Sequence, residues 1–386
     1  MAEREQRLRQ VRPDEPGGSG HDNGSFRHDR RARYRYRPPG WRCGGLSAAW
    51  STHRVASQRI VSDLSPATPT AALQIIADGG PQTGFGHIGR CLAIAEAFGS
   101  DAFFSVEDQS AAAFIEARGA RTQATGTERA PVVLIDRRAP TDAGEVGARH
   151  DAGALVVLLD DSGSGRDGAD LVVDPPTAAH WAPTPAPRLA GFEHVLLRRE
   201  VRDAAISRAA SAAALPGSPR VLLAMGGSDP TGATPALADA LAGAGIGVCA
   251  VLGPGYRGAR PALARVLDHP ERFVAALAGA ELFVASYGHA LLESAHLGVP
   301  AVAVVLLPEH LDDARSFCAH ETATLLDLSA GVSPSALVEV VGALLASQAQ
   351  RDALAARGRA LIDGRGSDRV ARAIRALADG ERSPSE

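Results

Sequence analysis

The feature that most constrains this chain is an alternation of short apolar runs with Ala-rich helical stretches, and the alternation occurs twice. After Ala71 the apolar runs are LQIIAD, DAFFSV, PVVLID and ALVVLLD, with DLVVDP close behind. They are β-branched and nearly continuously apolar, as strands buried on both faces of a parallel sheet should be. Between them, stretches such as IGRCLAIAEAF and QSAAAFIEARG carry apolar residues at helical spacing. Strand and helix in strict alternation predict an α/β architecture with a parallel sheet. After a connector-like stretch from Arg199 to Pro219 the pattern restarts with RVLLAM, PALADALAGAG, GVCAVLG, LFVAS, ALLESAHLG and AVAVVLL, and DRVARAIRALADG closes it as an amphipathic helix. The expected fold is therefore two Rossmann-like domains facing a cleft, at residues 71–200 and 220–365. A linker is expected at 201–219, and a terminal helix and tail at 366–386. Ligands of open α/β sheets bind beyond the carboxyl ends of the strands, so the strand-to-helix turns are where function is sought.

Residues 1–70 stand apart. They are rich in Arg, Gly, Ser and Pro, as in HDRRARYRYRPPGWRCGG, and show no sustained period. Such a segment buries too little apolar surface to offset the entropy of ordering, so a disordered tail is expected. Met1 and Met225 are the only methionines, and a biological start at a non-Met codon near Val55 or Val61 is a further expectation. In a chain of 386 residues with 45% hydrophobic content there is enough for two cores. The net charge of −4 carries no basic excess that would suit nucleic acid. Cys43, Cys91, Cys249 and Cys318 are scattered, with neither a disulfide framework nor metal-ligand spacing, so a cytoplasmic protein is expected. The longest apolar run, Val299–Pro308, is about half a membrane span and reads as a buried strand. No membrane segment, no metal and no cofactor are expected.

The first turn reads GGPQTGFGHIGR after LQIIAD. Gly84, Gly86 and Gly89 spell G-x-G-x-x-G, and Glu107 and Asp108 follow at the distance of a ribose-binding acid. Against a dinucleotide site, the strand should run almost directly into the first glycine, whereas GGPQTG intervenes from Gly79. His87 falls at a helix start, where free N–H groups and the positive end of the helix dipole welcome an anion. An imidazole there suits general-base catalysis, but it equally suits helix capping or a phosphate contact. In the second half, RVLLAMGGSDPTG ends a strand in Gly226-Gly227-Ser228, a turn able to cradle a diphosphate. Asp229 is expected to hold that loop through an Asx-type bond rather than to catalyse. FVASYGHALLESAHLGVP repeats the logic with Tyr287, Gly288 and His289 at the turn and Glu293 one turn into the helix. Glu293 is either an acceptor for two ribose hydroxyls or a solvated helix-face residue. His289 is placed to contact phosphate, and His296 is expected at the surface.

The ordered set G-x-G-H-x-x-R, M-G-G-[ST]-D and G-x-x-x-x-E-x-x-x-x-G-x-P resembles the family of the UDP-sugar hydrolase of pseudaminic acid synthesis. That hydrolase is grouped with predicted glycosyltransferases of spore-coat polysaccharide synthesis. GFEHVLLRREV and LIDGRGSDRVARAI are similar to further segments of that family, and the resemblance spans about residues 73–378. It implies the two-Rossmann glycosyltransferase-B fold and a UDP-sugar substrate. His87 would be the base that activates water. Gly226, Gly227 and Ser228 would form the diphosphate turn, and Glu293 would be the ribose acid. Asp78, Gly84, Gly86, Arg90, Asp229, Tyr287, Gly288 and His289 would complete the substrate site. The chain departs from the family at Ile76-Ala77-Asp78, Gly288-His289-Ala290 and Glu309-His310. The implied activity is inverting hydrolysis of a nucleotide sugar. A glycosyltransferase using the same site is the alternative, and a non-catalytic nucleotide-sugar-binding protein a further one.

Overall fold

The computed structural model describes residues 72–80, 84–124, 130–174, 176, 183–210, 219–268 and 272–380. All of them lie in one compact unit, Ser65–Glu386. The tail expected at 1–70 falls outside the described residues.

The first lobe is a seven-stranded parallel sheet. Its strands are β1 (Leu73–Ala77), β2 (Ala102–Ser105), β3 (Arg121–Gln123), β4 (Val132–Asp136), β5 (Leu155–Leu159), β6 (Leu171–Val173) and β7 (Arg188–Leu189). Helices α1 (Gly86–Phe98), α2 (Gln109–Glu116) and α3 (Ala143–Asp151) connect them, and α4 (Arg199–Ala210) leaves the lobe. The second lobe is a six-stranded parallel sheet. It comprises β8 (Val221–Ala224), β9 (Val248–Val251), β10 (Arg265–Leu267), β11 (Leu282–Ser286), β12 (Ala301–Val305) and β13 (Ala323–Asp327). Its helices are α5 (Thr234–Gly243), α6 (Phe273–Gly279), α7 (His289–Leu297), α8 (Leu311–Cys318), α9 (Pro334–Ala346) and α10 (Gln348–Leu361), with α11 (Gly366–Ala378) last.

The strand orders are β3-β2-β1-β4-β5-β6-β7 and β10-β9-β8-β11-β12-β13. Each sheet grows in one direction from its first strand and then reverses, so each has a switch point beside that strand, β1/β4 in one lobe and β8/β11 in the other. The near-continuous apolar runs are explained by the two-sided burial. Alternate residues of β4 divide between faces: Val132 and Leu134 pack with α1, while Val133 and Ile135 pack with Val146 of α3. In β8, Leu222 and Ala224 face one core layer and Val221 and Leu223 the other.

Two segments cross between lobes. The stretch expected as linker is helical to Ala210, and α4 packs against α6 and α7 of the second lobe, with Val201 in that lobe's core. The closing helix α11 returns to the first lobe, where Val370, Ala371 and Ile374 join the core around α1. Arg375 donates to the carbonyls of Ala97 and Phe98 at the end of α1, completing its last turn. Ser367 Oγ accepts from Leu197 N–H at 3.1 Å and ties the two crossings together.

Candidate active site

The site is built at the carboxyl edge of the first sheet. β1 leads to a loop whose Gly80 and Gly84 exchange backbone hydrogen bonds at 3.0 and 2.8 Å. The Gly80–Gly84 bridge is followed by the start of α1 at Gly86. Gly79 lets Ile88 of α1 pack close, since a Cβ there would lie 2.0 Å from Ile88 Cδ1 and the isoleucine would have to shift. No side chain caps α1, so its first N–H groups remain for solvent or ligand.

His87 stands in the first turn of α1, 22% exposed, and its Nδ1 lies 2.7 Å from Oδ1 of Asp136. Asp136 closes β4, and its carboxylate is fully buried. Burial alone would push its pKa up. The Arg90 guanidinium, together with hydrogen bonds from Arg90 and His87, outweighs burial and holds it at about 2. An ionised carboxylate is acceptor-only, so the 2.7 Å contact assigns the hydrogen to Nδ1 of His87, and in the neutral ring Nε2 then holds the lone pair; Arg90 Nη2 also lies 3.1 Å from Nδ1. Arg90 sits one turn along α1 and donates to both oxygens of Asp136, at 2.7 Å from Nε and 2.6 Å from Nη2. Its Nη1 donates to Oδ2 of Asp160 at 2.7 Å. Burial lowers the Arg90 pKa, but the two carboxylates raise it further than burial lowers it. The Cys91 thiol donates to Oδ2 of Asp136 at 3.3 Å, and its pKa is pushed up by burial first and by Asp136 second.

His87, Arg90, Asp160 and Gly86 form one wall of a cavity of about 360 Å³, and Tyr287, Gly288 and His289 at the start of α7 form part of the other. His310, just before α8, also lines it. The α7 start has no side-chain cap, so its N–H groups are open. Nε2 of His289 is buried without a partner among the described residues. Burial lowers the His289 pKa, Glu293 opposes, and Arg90 and Arg198 add to the lowering, which favours a neutral ring.

The expected site residues separate into two groups. His87, Gly86, Arg90, Tyr287, Gly288 and His289 meet at the cavity. Arg90 does so as the partner of two acids rather than as a free cation. Gly226, Gly227 and Ser228 are exposed at the end of β8 but outside the cavity lining. Asp229 accepts from Thr231 Oγ1 and from the N–H groups of Ala233 and Thr234, at 3.0, 3.2 and 2.8 Å, so it holds the loop into α5 as expected. Asp78 accepts from Arg138 N–H at 2.9 Å and braces the loop after β4, away from the cavity. Gly84 belongs to the loop bridge. Glu293 is neither solvated nor open to a ribose. It is buried, and its Oε1 accepts from Arg198 Nη2 at 3.2 Å. The reason is that α4 and the segment before it pack directly over α7. His296 is half-buried, with Nδ1 2.9 Å from the Ile362 carbonyl oxygen, because α10 covers the end of α7.

Sequence reasoning missed Asp136, Asp160 and Gly253. The two acids had a readable signal, each being the first charge after a buried apolar run, at the ligand-bearing edge. Gly253 had none. A Cβ there would lie 2.3 Å from Gly227 O, so it lets the β9 loop pass beneath the glycine turn.

No protein-family model matches the chain, and no curated protein matches it in sequence. Its backbone is similar to several solved structures. MurG from Acinetobacter baumannii superposes with a TM-score of 0.51 at 14% identity, over 79% of this chain and 99% of that one. The spinosyn forosaminyltransferase SpnP does so with a TM-score of 0.56 at 13% identity, over 80% and 99%. The glycosyltransferase VinC, solved in complex with dTDP, gives 0.54 at 14% identity, over 80% and 100%. Two parallel-sheet α/β lobes whose backbone is similar to these enzymes make this a glycosyltransferase-B fold.

Proposed function

We propose that the protein is an inverting glycosyltransferase that uses a nucleoside-diphosphate sugar. The observation that carries this reading is the buried Asp136 carboxylate oriented on Nδ1 of His87, with Nε2 left to a cavity shared by both lobes. In the reaction, Nε2 takes the proton of an acceptor hydroxyl as its oxygen bonds to the anomeric carbon. The bond from that carbon to the diphosphate breaks, and the nucleotide leaves with the electron pair. Asp136 stabilises the imidazolium that forms. The uncapped α7 start supplies N–H groups to the diphosphate, and the exposed Gly226–Ser228 turn, at the end of the strand next to β11, extends that surface beyond the cavity. A single displacement inverts the anomeric centre. A uracil or thymine nucleotide fits the motif resemblance and the dTDP held by VinC.

Hydrolysis is a second reading, favoured by the polar groups that line the cavity with His87, where Asp160, His194 and Asp313 suit water and a hydroxylated sugar. A cytoplasmic location belongs to the proposal. The described cysteines are all unpaired, and among the described residues no helix is long and apolar enough to cross a membrane.

The deciding measurement incubates UDP- and dTDP-sugars with and without candidate acceptors, and follows nucleotide and sugar by NMR. Nucleotide release that requires acceptor, with an inverted product, is expected. Free sugar formed without acceptor moves the assignment to hydrolysis, and saturable binding without either product ends the catalytic reading.

A further inference from the structure

Asp160 follows β5, one strand along from Asp136. Its backbone lies at φ +53°, in the left-handed region where Asp and Asn are the better-tolerated side chains. Its N–H donates to Val173 O at 2.9 Å and fixes that conformation. The carboxylate is thereby set against Arg90 Nη1 at 2.7 Å, its one partner among the described residues, and it lines the same cavity as His87.

The charge count explains why a second acid is needed. Arg90 and Asp136 cancel one another. A proton arriving on His87 would then leave an uncompensated cation in a half-enclosed site, with Arg90 Nη2 only 3.1 Å from the ring Nδ1. Like charges so close repel strongly where water is scarce. We propose that Asp160 is a positioning residue for the His87–Asp136 pair: it balances Arg90, so that imidazolium, guanidinium and two carboxylates sum to zero when the base is loaded. Asp160 is itself poised, its pKa raised by burial first, with Arg90 opposing and Asp136 adding.

Among the described residues, no other first-lobe group facing His87 supplies this charge. Cys91 is a buried thiol on Asp136. Asp174, at the end of β6, is paired with Arg166 and Arg188. From the second lobe come the imidazoles of His289 and His310, with Asp313 on α8.

The inference rests on the proposed role of His87 as proton acceptor, and its test is independent of turnover. The imidazole nitrogens of His87 are titrated by NMR in the parent and in Asp160→Asn, with the signals assigned by their loss in His87→Gln. Asn tolerates the left-handed backbone, and Asp160→Gly, which favours it, is the second variant. Removing the carboxylate destabilises the protonated ring, so the midpoint is expected to fall by about one pH unit in both variants, the low end of the effect of a nearby opposite charge. On an active substrate, kcat at neutral pH falls by about tenfold, with KM for the nucleotide sugar unchanged. An unmoved midpoint in both variants overturns the proposal. A moved midpoint in a protein that turns over no nucleotide sugar supports Asp160 and overturns the transferase reading instead.

Discussion

The two lobes share one topology and diverge at the same place. Each sheet reverses order beside its first strand, and each presents strand-to-helix turns at its carboxyl edge. In the first lobe that edge is charged: Asp136 and Asp160 end neighbouring strands, and α1 lays His87 and Arg90 across them. In the second lobe that edge offers open backbone at Gly226-Gly227-Ser228 after β8 and at Gly288 before α7, beside Tyr287, His289, His310 and Asp313, and its one described glycine-turn acid, Asp229, is spent on the loop. Topology decides where a ligand is held, and the side chains at each switch point decide what is done to it. A lobe of open amides suits binding of an anion, and a lobe with an oriented imidazole suits moving a proton.

That division of labour breaks most visibly at His87. His87→Gln is expected to lower turnover by about 100- to 10,000-fold, the range for a lost general base. Nucleotide affinity, measured by calorimetry, should stay at the parent value. A parallel loss of affinity would mean that both lobes bind and the contrast fails.

A smaller effect tests the charged edge through stability. Asp136 titrates at about 2, below the ordinary carboxylate value of 3.8. A depressed carboxylate contributes stability that is complete above its unfolded-state pKa and lost as pH falls through its folded one. The window is therefore from about pH 4 down to 2, and the loss is about 2 kcal/mol. Urea unfolding across that window should fall by that much more in the parent than in Asp136→Asn. Equal slopes would show that the carboxylate is not held as described.

The smallest expected effect sharpens the other side. Gly253→Ala places a Cβ against the backbone of Gly227, so the glycine turn must shift. Nucleotide affinity should drop by about tenfold, a little over 1 kcal/mol, while the His87 titration stays where it was. An unchanged affinity would remove the Gly226–Ser228 turn from the binding surface.

Much of this was legible in the chain itself. Short apolar runs with alternating helices specify parallel strands because both faces of such a sheet must be buried, and each expected strand from LQIIAD to AVAVVLL is present. His87 was legible as a helix-start histidine because glycines and an apolar helical stripe bracket it. Asp229 was legible as a loop anchor because Asp before Pro-Thr-Gly readily bonds its own backbone.

The sequence by itself determined the elements, their order and the turns where chemistry was to be sought, because backbone preference and hydrophobic period are local properties. Tertiary structure alone decided which charges meet. Asp136 and Asp160 lie 49 and 70 residues or so from the α1 residues they touch, and only the pairing of β1 with β4 and of β4 with β5 brings them under His87 and Arg90. It likewise decided that Glu293 would be covered by Arg198 rather than open. Electrostatic pairing depends on distance through space, and spacing along the chain does not encode it until the sheet is assembled.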